Sequence, residues 1–385
     1  MLNNKIFSEK YLDLKLISFD INKISDLDKK RGVISLWIKS LNSGRINKTK
    51  ETSIQADFLN GFFGDVLGYS YKNHEKWNLE KEYSTEVDGK FADGALGYFT
   101  LLDNKIQTDV RVVIELKDAN TDLDKPQNRK NDKRTPVEQA FSYATRAGGK
   151  CKWVIVSNFK EIRLYRANDI SKYELFSIFE LNSDKVLARF FYLLSYNRLF
   201  LEKSKSTVDA IYKERQDEEE DIANGFYKDY KKIRLELFDH LKKNNPITSE
   251  LILFAKTQKI LDRAIFVCFI EDTGLIPPYT FKSIIKASKE DKFNQGDTKL
   301  WNRIKSLFQA IDQGYPAENI NKFNGGLFAK DEILDNLIIK DEVAEHMITL
   351  EKYKFDSDLN VNILGHIFEQ SISDIEQIKA ELRGE

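Results

Sequence analysis

"VRVVIELKDA", residues 110–119, is an apolar run that carries an acid and a base two residues apart. Strand alternation puts Val112, Ile114 and Leu116 on one face and Arg111, Val113, Glu115 and Lys117 on the other. A half-buried strand tolerates Glu115 and Lys117 side by side if they pair with each other or with a metal. In solvent the same spacing is an ordinary polar face; Lys117 is expected to be exposed and to contribute little packing. What surrounds this strand decides between the two.

The strand run before it, "FADGALGYFTLL", contains Ala92-Asp93, with 21 residues between Asp93 and Glu115. "LLDNKIQTDVRVVIEL" turns at Asp103-Asn104, so the two strands read as a hairpin that can bring Asp93 to the sheet edge occupied by Glu115 and Lys117. Two carboxylates and a backbone carbonyl, that of Leu116, make an oxygen-rich set suited to Mg²⁺. A lysine beside that set can hold or help deprotonate an attacking water and offers positive charge to a phosphoryl transition state.

Further runs extend the pattern on both sides. "TKETSIQADFLNGFFGDVLGY" repeats apolar residues every three to four positions from Ile54 to Leu67 and stops at Gly68, which predicts an amphipathic helix. "WNLEKEYSTEV" reads as a strand joined to the next by an Asp88-Gly89 turn. "TPVEQAFSYATRAGG" has Pro136 at a first helical position and Gly148-Gly149 at its end; Gln139 and Tyr143 share one face of that helix. "CKWVIVSN" and "EIRLYRA" are two more strands. Helix, three strands, helix, strand, strand is an α/β order with a mixed sheet. The chain changes character near residue 175, which divides it into an α/β domain over 1–175 and an all-α domain over 176–385. "QKILDRAIFVCFIED", apolar on most sides, is expected to be the central helix of the second.

Bulk properties narrow the function class. A net charge of −1 over 385 residues gives no global attraction to nucleic acid or membrane, so any polyanion site is a local patch. "KPQNRKNDKR", Lys125 to Arg134, is such a patch: Lys125, Arg129, Lys130, Lys133 and Arg134 lie between the Glu115–Lys117 strand and the Gln139 helix, placed for DNA-backbone contact. Two cysteines cannot form a disulfide framework, no apolar run reaches membrane-spanning length, and the first residues lack a signal-peptide core. A cytoplasmic, soluble protein is expected. The four histidines are scattered, and "QDEEED" (216–221) reads as a solvated helix face or linker.

"AD", 21 residues, "ELK" and then "QAFSY" resembles the PD-(D/E)xK nuclease superfamily, with the QxxxY helix of RecB-type and type I restriction nucleases. "KETSIQADFLNGFFGDVLGY", "NGGLF" and "NILGHIFEQSISDIEQIKAEL" extend the likeness to the N-terminal half of type IIG restriction–modification enzymes, strongest over 48–166 and 225–385. The resemblance implies a restriction-endonuclease-like α/β domain followed by a helical connector that leads to a methyltransferase and a target-recognition domain. It implies Asp93 and Glu115 as ligands of Mg²⁺ (or Mn²⁺), Lys117 as the catalytic lysine, and Gln139 and Tyr143 as supports of the site and the DNA backbone. Glu51 corresponds to a further acid sometimes turned toward the metal; a favourable charge at a helix N-terminus accounts for it equally well. Ala92 stands where the motif has Pro.

A methyltransferase of that type would show a Gly-rich cofactor loop and an Asn-Pro-Pro-aromatic tetrapeptide. "NNPI" (244–247) and "NGGLF" (324–328) do not supply them and read as a loop and a turn. S-adenosylmethionine would then belong to a domain absent here, in the full-length protein or as a separate subunit, and the chain would be a truncated piece or a natural split subunit. The expected function is Mg²⁺-dependent hydrolysis of double-stranded DNA in restriction–modification and phage defence. Two other readings stand beside it: a catalytically silent nuclease-like module that docks DNA or a subunit, and an RNA-directed or phage-defence nuclease outside restriction–modification.

Overall fold

The computed structural model describes residues 5–49, 51–71, 75–84, 91–103, 105–127, 133–200, 206–294, 296–323, 325–355 and 361–383. The chain separates into two compact units, Met1–Arg215 and Gln216–Glu385.

The first unit begins with α1 (Glu9–Leu16), α2 (Leu27–Asn42), α3 (Arg45–Lys48) and α4 (Glu51–Phe58), which continues as a π-helix over Leu59–Val66. Gly68, at φ +86°, ends that segment in the left-handed region that side chains avoid. β1 (Lys76–Ser84), β2 (Phe91–Leu102) and β3 (Lys105–Leu116) follow, then α5 (Pro136–Arg146), β4 (Trp153–Ser157), β5 (Glu161–Arg166) and β6 (Asp169–Ser177). The six strands form one sheet in chain order. Only β3 and β4 pair in parallel, with α5 lying in the crossover between them; a parallel neighbour requires such a crossover. The sheet is therefore mixed and flanked by helices.

Alternation sorts the two faces as the opening stretch predicts. Val112, Ile114 and Leu116 join one core with Leu96, Ile155 and Leu164 beneath α2, the π-helix and α6 (Asp184–Leu194). Val113 faces the opposite core with Ala95, Val154, Val156 and the α5 residues Val137, Ala140 and Tyr143. Each fully buried aliphatic side chain contributes about 1.5–3 kcal/mol relative to exposure. Gly97 sits where the β2–β3 register shifts; a Cβ there would lie 2.3 Å from the Asp109 carbonyl oxygen, so only glycine lets the two backbones approach. α5 starts with a reciprocal cap: Thr135 Oγ1 accepts from the Glu138 N–H at 3.1 Å, and Glu138 Oε2 accepts from the Thr135 N–H at 2.7 Å.

Three features differ from the sequence reading. β6 is a sixth strand that sequence pattern did not indicate. The boundary between compact units falls after Arg215, not at 175, because α6, α7 (Tyr196–Leu199) and the start of α8 (Thr207–Asn244) place Leu187, Phe190, Leu194, Leu199 and Val208 in the sheet's own core. The predicted helix over Ile54–Leu67 changes from α to π geometry at Leu59. The Asp88-Gly89 turn and Asn104 lie outside the described residues; Asp103 has φ +49°, as a tight turn requires.

The second unit comprises the rest of α8, α9 (Glu250–Asp272), α10 (Thr280–Glu290), α11 (Lys299–Gln313), α12 (Glu332–Asp335), α13 (Asp341–Ile348) and α14 (Val361–Arg383). Among its described residues there is no strand beyond an isolated bridge between Tyr315 and Ile320. α9 is buried on several sides through Phe254, Leu261, Ile265, Cys268 and Ile270, the central place its composition predicts. Its Arg263 donates to the Leu327 and Ala329 carbonyls, both at 2.8 Å, and so holds the turn that contains Gly325 and Gly326. "QDEEED" lies within α8, largely exposed. No helix among the described residues is long and apolar enough to cross a membrane.

Candidate active site

The Glu115–Lys117 stretch ends β3 beside its parallel partner. Leu116 is paired with Ser157, and the Lys117 N–H donates to the Ser157 carbonyl at 2.9 Å, one step past the strand. The carboxyl ends of parallel strands, where a crossover leaves room above the sheet, are where α/β folds place ligands.

Glu115 is 1% exposed and Lys117 6%, and the Lys117 ammonium donates to Glu115 Oε1. The expectation of an exposed lysine is thus overturned: the two side chains form a buried ion pair on the face opposite Leu116. β2 brings in the third group. Gly94 pairs with Ile114, so continuing the antiparallel register by one residue sets Asp93 across from Glu115. The Asp93 carboxylate is fixed through both oxygens: Oδ2 accepts from the Leu116 N–H at 2.7 Å, and Oδ1 accepts from Gln55 Nε2 at 3.2 Å. Gln55 comes from α4 and was not singled out by the sequence; a lone glutamine in an amphipathic helix carries no signal of such a contact. The Glu51 side chain lies outside the described residues.

α5 packs behind this edge with Gln139 5% and Tyr143 7% exposed. Gln139 Nε2 donates to the Tyr143 hydroxyl at 3.0 Å, and Gln139 Oε1 accepts from Gln127 Nε2 at 2.8 Å. The amide is therefore held in one orientation. Tyr143, expected at the DNA backbone, is buried and backs Gln139 instead, because the shared helix face points into the sheet's second core. Gln127 is a second brace that the sequence did not reveal.

The basic run is only partly described. Lys125 and Lys133 are exposed, and Lys125 pairs with Asp122 at 2.9 Å. Arg134 is half-buried and donates to Ser142 Oγ at 2.7 Å. Arg129 and Lys130 lie outside the described residues. Among the described residues there is no group of three or more His, Cys, Asp or Glu side chains able to hold a metal. His240 and His346 lie in the second unit, where the Lys340 N–H donates to His240 and His346 faces Glu236 at 3.2 Å. His74 and the His366 side chain lie outside the described residues. Both cysteines are free and buried; burial pushes the Cys151 thiol up to about 12, so it is no thiolate nucleophile at neutral pH.

Three similarities to known proteins are found. Residues 38–211 match the protein family described as "MmeI, N-terminal domain". A Methanocaldococcus jannaschii protein named "Putative type II restriction enzyme and methyltransferase RM.MjaORFECS2P" is 24% identical over 367 residues, covering 77% of this chain and 29% of that protein. This chain thus spans under a third of that relative's length. Among solved structures, the DrdV–DNA complex determined by cryoEM matches at 14% identity with a TM-score of 0.28, over 86% of this chain and 29% of that one.

Proposed function

We propose that this chain carries the endonuclease part of a type IIG restriction–modification enzyme and hydrolyses DNA phosphodiesters through a PD-(D/E)xK active site. The observation that carries the proposal is the buried Glu115–Lys117 pair at the end of β3, with Asp93 fixed across the hairpin. Burying two opposite charges in a sheet edge is weak evidence for stability, since apolar residues of similar volume serve at least as well. The likeness to a restriction enzyme and methyltransferase supports the restriction context.

The donor set fits a hard divalent cation. Asp93, Glu115 and the Leu116 carbonyl offer only oxygen, and an Mg²⁺ or Mn²⁺ ion with few protein ligands keeps waters in its remaining positions. When bound, such an ion supplies positive charge to the scissile phosphoryl group. Lys117 is held on Glu115, so its ammonium has a fixed direction and adds charge where negative charge develops. Gln139, locked between Gln127 and Tyr143, provides a rigid wall behind that group. Lys125, Arg129, Lys130, Lys133 and Arg134 are the proposed contacts to the DNA backbone, which position a duplex without reading it. In this proposal the methyltransferase and target-recognition functions, and with them S-adenosylmethionine, belong to other domains or a separate subunit, and the protein acts in the cytoplasm.

The test is Asp93→Asn in a protein that includes those other domains, with cleavage of DNA measured in Mg²⁺. Asparagine keeps an acceptor for the Leu116 N–H but removes the charge. Cleavage should fall by at least about a hundredfold, of the order seen when an electrostatic group is removed from a catalytic site. Cutting at the wild-type rate would refute the site.

A further inference from the structure

On the helical face of the first unit, away from α5, a cleft of about 470 Å³ opens between the segment preceding α2, the end of the π-helix and the α6–α7 junction. Its size is that of a small-molecule site. Arg198 is the residue that distinguishes it. The guanidinium lies over two rings at once, 4.9 Å from the centre of Phe19 and 4.7 Å from that of Tyr192, and those rings meet edge to face at 5.5 Å. Two nearly perpendicular rings attract the cation and hold the guanidinium in place. Among the described residues it has no carboxylate partner, and neither does Lys23, which is exposed and also lines the cleft. A guanidinium held by two rings but without a carboxylate partner keeps N–H donors for a planar or tetrahedral oxyanion.

The other charges of the cleft are already engaged. Lys30 donates to the carbonyls of Val66 at 2.5 Å and Asp65 at 3.2 Å, so its ammonium closes the end of the π-helix. The lining carboxylate, Asp20, accepts from the Asn22 N–H at 3.0 Å and caps a short 3-10 turn. Arg198 and Lys23 are the lining cations without such an engagement, and with Asp20 they leave the cleft one positive charge in excess before Lys30 is counted. The rest of the lining includes Phe19, which already meets Arg198 and Tyr192, and Tyr196, which meets Tyr69 and Phe200 edge to face, so a flat apolar body would use the remaining ring surface of each.

We propose that this cleft binds a small phosphate-bearing ligand with an aromatic body, a mononucleotide in chemical class, its phosphate on Arg198 and Lys23 and its ring against Phe19 and Tyr196. The site is independent of the nuclease reading, since none of Asp93, Glu115 and Lys117 lines it.

Isothermal titration of the chain with AMP, with adenosine and with inorganic phosphate tests it, without added metal. AMP should bind with a dissociation constant on the order of 10–1000 µM, at least tenfold tighter than adenosine or phosphate alone. Arg198→Ala should weaken AMP at least tenfold, and Lys23→Ala, an exposed change expected to leave the fold intact, about threefold or more. Absence of AMP binding at several times that concentration would overturn the proposal. So would equal affinity for AMP and adenosine, or undiminished binding by both variants.

Discussion

Replacing Lys117 by Met keeps most of the side-chain volume but removes the cation from a carboxylate that is 1% exposed. Breaking one partner of a buried pair costs about 3–5 kcal/mol, since the remaining charge loses its opposite charge in a poorly hydrated place. A unit of this size, Met1–Arg215, shifts its melting temperature by about 2–4 °C per kcal/mol. Lys117→Met should therefore lower the first unit's transition by roughly 6–20 °C. Glu115→Gln alone should also destabilise, since it leaves the ammonium buried. The double variant should recover most of the loss, because replacing both charges removes both desolvation penalties. Urea melts of the four proteins, followed by circular dichroism, give the interaction energy, expected at about 2 kcal/mol or more. A Lys117→Met protein within about 1 kcal/mol of wild type, or a double variant as unstable as the sum of the singles, would show that the pair is not buried and coupled in solution. The double variant also separates function from folding: it should be stable and, in a protein with the remaining domains, unable to cut.

Other perturbations probe other parts. Thr135→Ala removes one half of the α5 cap and should cost about 1 kcal/mol in the same melts; no change would mean the cap is frayed. Burial raises the Glu174 carboxyl from 4.5 to about 7. Because the folded value is the higher one, this stability is fully present below pH ~4.5 and lost as pH rises through 7, about 3 kcal/mol at 1.36 kcal/mol per unit. Glu174→Gln, which keeps an oxygen for the Phe7 N–H, should flatten that decline, and melts at pH 5 and pH 8 that differ as in wild type would refute it. The chain alone, incubated with plasmid, Mg²⁺ and S-adenosylmethionine, should show at most weak non-specific cleavage and no methyl transfer. Its DNA affinity should be on the order of 10⁻⁴ to 10⁻⁶ M at physiological salt and fall as salt rises; a discrete band pattern or methylated adenine would overturn this.

The sequence made the centre of the sheet legible because its strands alternate cleanly. Val112, Ile114 and Leu116 go to one core and Val113 to the other, and the Thr135-Pro136 start of α5 is a local signal that the chain obeys. β6 escaped because "DISKYELFS" places Glu174, a charged residue, at an inward position, where it accepts from the Phe7 N–H at 2.8 Å. A buried carboxylate breaks the apolar alternation by which strands are recognised. The unit boundary was misplaced for another reason. The periodicity of "DKVLARFFYLL" shows that it is a helix with one apolar face, but not which core that face joins.

The site residues divide along the same line. Glu115 and Lys117 share a strand face by parity alone, and Gln139 and Tyr143 share a helix face by turn geometry. Parity does not say how deep a face lies, so Lys117 and Tyr143 were both expected nearer solvent than they are. The two glutamine braces depend on tertiary register: Gln55 reaches Asp93 across 38 residues, and Gln127 reaches Gln139 from a loop. Their arrangement bears on the choice between an active nuclease and a silent docking module. A module that only docks DNA needs positive surface, which exposed lysines such as Lys125 and Lys133 supply without any buried charge. It has no use for a carboxylate held at both oxygens, an ammonium pinned on a buried glutamate, or an amide locked from two sides. Each of these restraints costs conformational freedom and desolvation. In the proposed nuclease they fix the directions of charged groups at one sheet edge, as pre-organised chemistry requires.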